Sequence, residues 1–244
     1  MPLIGFLSDI CLVLSKSPEI AQVLGIQHST DDYNQLHAVM FTILIAFIVA
    51  HEHTHHIYGH VSEEDSKRLF LGITPLVYGA KCQQQVSELV ADGHAIYTVL
   101  MNYIVTTNMN GANSFYGLNA NNSSLTDEQM LATVVVVIAA FLLRLPERDL
   151  DEHVVYTLSH PPPPARLNSL MHEAVGWSSH NRPQIEVFLQ VNFQVLLEAT
   201  AIAVLGEKAD QVWNQQTAFL KSPAGAAYVS ELAKGVADFR KSMK

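Results

Sequence analysis

The chain has 244 residues, 49% of them hydrophobic and only 15% charged, with a formal net charge of −9. That length can bury a substantial core, and the acidic balance leaves no surplus of cations to neutralise phosphates, which argues against nucleic acid as a main partner. Cys11 and Cys82 are the two cysteines; they imply no disulfide framework and suit a reducing compartment.

The first ten residues carry no basic region, and Asp9 interrupts their apolar run, so a cytoplasmic protein without a signal peptide is the expectation. From Ile4 to Ser15, Phe6, Ile10, Val13 and Leu14 recur at helical spacing. Ser17-Pro18-Glu19 supplies an N-cap and an N1 proline for a short helix to Leu24. The polar stretch Ser29-Thr30-Asp31-Asp32 caps a long helix running through Ala38–Ala50 and a histidine cluster to about Gly59. Ser62–Arg68 is a charged loop, and Gly72 and Pro75 punctuate the stretch after it. A second long helix is expected from Tyr78 to Thr106, with Val86, Leu89, Val90, Ala95, Ile96 and Leu100 as its apolar positions.

Six asparagines between Thr107 and Ser124 read as a long surface loop. Thr126-Asp127-Glu128 caps a helix containing Val134-Val135-Val136-Val137, which Pro146 ends. Ser159-His160 and four prolines lead into a helix from Ala165; helices over Pro183–Leu205, Lys208–Leu220 and from Pro223 onward complete the chain. No strand pair or repeat is visible, so the expectation is a mainly α, single domain over residues 1–244. The apolar runs Ala38–Ala50, Met130–Leu143 and Phe193–Leu205 have 13 or 14 residues. Each falls short of the roughly 20 needed to span a bilayer, and they are expected as buried core helices.

The histidine cluster reads His51-Glu52-His53-Thr54-His55-His56. His51, Glu52 and His55 fit H-E-x-x-H: on a helix the two imidazoles share a face and converge on one zinc ion, and the glutamate reaches a water on it. A metzincin would continue with Gly at 58 and His at 61; Tyr58 and Val61 stand there instead, and His60 lies about 180° around the helix from His51. The third ligand is therefore expected from the second long helix. Glu88 and Asp92, four apart among apolar neighbours, fit a ligand and a carboxylate that holds a ligand imidazole in its tautomer. His53, His56 and His60 form a separate stripe, expected to be solvated, and His94 is not expected as a ligand.

His51-Glu52-x-x-His55 with Gly59-His60, then Glu88-x-x-Ala91-Asp92, then His160-Pro161-Pro162 with Arg166, resembles the metallopeptidases that include HtpX, the prenyl-protein CAAX endoproteases and their soluble relatives. The three blocks cover about 22 positions. Thr54 stands where that family has glycine, and the 32 residues between His55 and Glu88 leave no room for a transmembrane hairpin, so the likeness is to a soluble branch. The Lit-type phage-exclusion peptidases, also H-E-x-x-H proteins, are the alternative family. The resemblance implies a zincin-like helical domain with the H-E-x-x-H helix packed against the E-x-x-x-D helix, and hydrolysis of a protein or peptide substrate. It implies Zn2+ on His51, His55 and Glu88, with Glu52 as general base. His160 and Arg166 would border the site: His160 as oxyanion donor or merely a cap, Arg166 paired with an acid such as Asp92 or holding its helix.

Two rival classes fit the residues less well. A di-iron protein needs a second E-x-x-H, and no glutamate besides Glu52 has histidine three residues on. A non-catalytic metal-binding or interaction module would have no need of Glu52 between the two ligands.

Overall fold

The computed structural model describes residues 3–26, 30–58, 80–106, 125–145 and 150–242. Among these residues nine α-helices form and no strand: α1 (Leu3–Lys16), α2 (Pro18–Leu24), α3 (Thr30–Ile57), α4 (Ala80–Leu100), α5 (Asp127–Leu143), α6 (Pro163–Asn181), α7 (Pro183–Leu205), α8 (Ala209–Leu220) and α9 (Pro223–Ser242). One π-helical turn, Met101–Thr106, extends α4, and short 3-10 turns occupy Val154–Thr157 and Gly206–Lys208. The mainly α expectation is met.

Helix starts follow side-chain chemistry. The Ser17 hydroxyl accepts the Ile20 N–H at 3.3 Å to open α2, and Gly25 closes it at φ 63°, a left-handed conformation that suits glycine. Thr126 and Gln129 form a reciprocal capping box at the start of α5. Four consecutive valines disfavour helix by intrinsic propensity. Here every residue from Leu131 to Ala140 is buried, so α5 is apolar all round and burial overrides that preference. Helices α1, α3 and α7 pack around α5.

A second, smaller cluster joins Cys82, Val86, Leu89 and Val90 of α4 to Tyr228, Leu232, Val236 and Phe239 of α9, with Val155 and Ala165. The later part of α4, including Ala95, Ile96 and Val99, belongs to the larger core. Helix α4 thus crosses the seam between the two clusters, with α3 packed along it. Gly235 lets α9 come close: a Cβ there would stand 2.5 Å from Val86 Cγ2.

Two boundaries differ from the sequence reading. Helix α6 starts at Pro163, because a first-turn proline gives up no needed N–H, and α8 starts at Ala209 after the 3-10 turn. The expected start of α4 at Tyr78 lies outside the described residues, which resume at Ala80. The 62–68 loop, Gly72, Pro75, the asparagine-rich 107–124 segment and Pro146 lie outside the described residues. The apolar runs also behave unequally. Met130–Leu143 is core, but Tyr33–Ile57 and Pro183–Leu220 are each long and apolar enough to cross a membrane, with a third and under half of their residues buried. Both stretches carry charged residues, Glu52 in the first and Glu186, Glu198, Glu207, Lys208 and Asp210 in the second, and Val49, Val187 and Val191 remain exposed.

Candidate metal centre

Helices α3 and α4 bring His51, His55 and Glu88 together. Their donor atoms lie within 4.8 Å of one another, the one such group of three among the described residues. His55 Nε2 is 3.0 Å from His51 Nε2 and 3.3 Å from Glu88 Oε1; His51 Nε2 is 3.4 Å from Glu88 Oε2. Ligands at about 2.0–2.1 Å around a tetrahedral ion stand about 3.3 Å apart. The two imidazole nitrogens, and each of them with a Glu88 carboxylate oxygen (Oε2 for His51, Oε1 for His55), stand close to that spacing.

The charges agree with the geometry. Glu88 and Asp92 are buried carboxylates, and Arg166 is the buried cation facing them. Arg166 donates twice to Asp92, Nε to Oδ2 at 2.7 Å and Nη2 to Oδ1 at 2.6 Å. One negative charge is left over, to be balanced by a proton on a histidine or by a cation between the donors. Buried Glu88 Oε2 makes no hydrogen bond, although two imidazole nitrogens stand 3.4 Å away. These residues fit a divalent cation.

Asp92 Oδ1 also lies 3.0 Å from His51 Nδ1, close enough for an ion pair but poorly aligned for a hydrogen bond. A proton on Nδ1 leaves the Nε2 lone pair facing Glu88 and His55. Without a cation, burial would strip the proton from His51, but the Asp92 and Glu88 carboxylates outweigh it and raise the pKa to about 9. Burial likewise opposes ionisation of Glu88, yet His51, His55 and His160 hold it well below the usual carboxylate range. For Asp92, burial is again overcome, chiefly by Arg166 and then by His51, and its pKa is lowered.

Glu52 is exposed on α3 and lines a cavity of about 340 Å³ together with His51, Glu88, His160 and Arg166. Apart from Ser159, the remaining wall is apolar: Ile48, Phe141, Leu145, Leu150, Leu158 and Pro161 to Pro163. His160 stands at the rim, its side chain 55% exposed and its Nε2 3.4 Å from Glu88 Oε2, while the Ser159 hydroxyl lies 2.8 Å from its Nδ1. Thr54 is fully buried; its hydroxyl reaches Ala50 O at 2.7 Å and His94 Nδ1 at 3.0 Å. His94 therefore faces Thr54 and stands outside the donor group, as do exposed His53 and His56; His60 lies outside the described residues.

Sequence reasoning missed Gln85. It is fully buried one turn before Glu88 and hydrogen-bonds the loop that leads to His160. Its signal was periodicity, since residues 85, 88 and 92 share a helix face. No family model matches the chain, and no curated protein or solved structure is significantly similar to it.

Proposed function

We propose that this chain is a zinc-dependent metalloendopeptidase of the glutamate-zincin type, akin to the HtpX and CAAX-endoprotease group that its three motif blocks resemble. The observation that carries the reading is the group of His51, His55 and Glu88 donors, with the imidazole nitrogens 3.0 Å apart and each 3.3–3.4 Å from a Glu88 carboxylate oxygen, beside Glu52 and one cavity. Two imidazoles and a carboxylate suit zinc among common divalent ions and leave one position open. When bound, zinc supplies Lewis acidity toward a scissile carbonyl and acidifies water.

The protein's own groups carry the proton. Glu52 accepts it from the attacking water and returns it to the leaving amine nitrogen. The role of oxyanion donor calls for the His160 tautomer with its proton on Nε2, on the side facing Glu88, and the Ser159 hydroxyl, 2.8 Å from Nδ1, is placed to donate to that nitrogen. From Nε2, His160 donates to the carbonyl oxygen as negative charge builds. The apolar wall from Ile48 to Pro163 seats an uncharged part of the peptide. Arg166, the one arginine or lysine among the described cavity residues, is already matched by Asp92 and so is not free for a terminal carboxylate, which favours cleavage within a chain.

The experiment is cleavage of a peptide library by zinc-loaded protein, with and without chelator, beside Glu52→Gln. The variant should keep its zinc and lose roughly 10²- to 10⁴-fold in rate. A zinc-loaded parent protein that cleaves no peptide would overturn the reading in favour of a metal-binding module.

A further inference from the structure

We infer that Gln85 is a positioning residue: its buried amide fixes the loop carrying His160, and with it one wall of the cavity, to the helix carrying Glu88. The inference rests on the reading of His160 as a participant in peptide hydrolysis. Gln85 Nε2 donates to Val155 O at 2.7 Å and to Leu158 O at 2.8 Å, and Oε1 accepts from the Tyr228 hydroxyl at 2.7 Å. A primary amide has two N–H donors, and both go to this loop. The reverse amide orientation would set its oxygen against two carbonyls, so the assignment is fixed by the network.

Packing alone does not ask for an amide here. Gln85 sits among Cys82, Val86 and Leu89 in the contact between α4 and α9, where an apolar side chain would serve. What the amide adds is a grip on backbone. Leu158 lies two residues before His160 and itself lines the cavity. Glu88 lies one helical turn beyond Gln85, so loop and ligand take their spacing from one rigid segment.

Helix α9 braces the same loop from the other side. Tyr228 is fully buried, and its ring meets Tyr156 edge-on at 5.5 Å. The Tyr156 hydroxyl donates to Glu231 Oε2 at 2.9 Å. The start of the loop is held locally, by Asp151 Oδ1 accepting from His153 N and Val154 N. Its end, from which His160 projects, depends on Gln85.

The test compares Gln85→Met and Tyr228→Phe, each alone and combined with His160→Ala, by zinc content, kcat and KM on a cleaved peptide, and amide exchange across residues 154–160. Zinc content should not change, because the ligands lie on other bonds. Gln85→Met should lower kcat about 10- to 100-fold with a far smaller change in KM. In the His160→Ala background it should add no more than about twofold, because the two changes act through one group. Exchange at 154–160 should quicken about tenfold or more while α3 stays protected.

Equal losses with and without His160, or unchanged exchange in the loop, would overturn the inference. If Gln85→Met does not fold, Tyr228→Phe, which removes one hydroxyl, decides by the same readouts. If the zinc-loaded parent protein cleaves nothing, the peptidase reading falls separately. Loop exchange in the variants then decides whether Gln85 fixes the loop.

Discussion

Replacing Arg166 by methionine isolates the buried charge beneath the candidate metal site. Asp92 is fully buried and Arg166 is 5% exposed, so neither charge has water to fall back on. The change removes two charge-assisted hydrogen bonds, of 2.7 and 2.6 Å, and leaves the carboxylate with His51 as its remaining partner. Breaking a buried pair in this way costs about 3–5 kcal/mol. In the metal-free protein a protonated His51 offsets part of the charge, placing the expected loss near the low end, about 3 kcal/mol. Urea unfolding followed by far-UV circular dichroism should show the midpoint falling by about 1 M or more. Asp92→Asn/Arg166→Met, which removes both charges, should recover more than half of the loss, since the penalty comes from the unpaired ion. A single-variant loss below about 1 kcal/mol, or a double variant no more stable than the single, would refute this account of the His51–Asp92–Arg166 chain.

Asp92→Asn tests how that chain serves the metal. Its amide holds the His51 tautomer less well than a carboxylate, and zinc affinity should fall about 10- to 100-fold in competition with a chromophoric chelator; affinity within about twofold of the parent would refute the role. Gly235→Ala tests the approach of α9 to α4. The new methyl would meet Val86 Cγ2 at 2.5 Å, and overpacking of this kind costs about 1–3 kcal/mol. Adding Val86→Ala should relieve the clash in the same urea assay, and failure to do so would place the strain elsewhere.

The sequence carried those parts of the molecule that depend on local spacing. Ser17-Pro18 and the Thr126–Gln129 box mark helix starts because a cap acts over three residues. The two imidazoles of H-E-x-x-H and the Glu88/Asp92 pair were legible because one helical turn puts each pair on one face. That the two faces meet was an inference from zinc chemistry, and the structure brings them together. The Gln85–Tyr228 bond was not legible, because its partners lie 143 residues apart and only the packing of α9 on α4 joins them. Nor could apolar content say which helix is surrounded. Met130–Leu143 and the apolar part of α3 look alike in sequence, but neighbours cover α5 on all sides while Val49 of α3 stays exposed.

Zinc stoichiometry together with X-ray absorption at the zinc edge addresses the central claim most directly. The account predicts one zinc per chain, with two imidazole nitrogens and a carboxylate oxygen at about 2.0–2.2 Å, and loss of the ion in Glu88→Ala. A chain that takes up no stoichiometric zinc, a first shell with sulfur in it, or full occupancy retained in Glu88→Ala would contradict it.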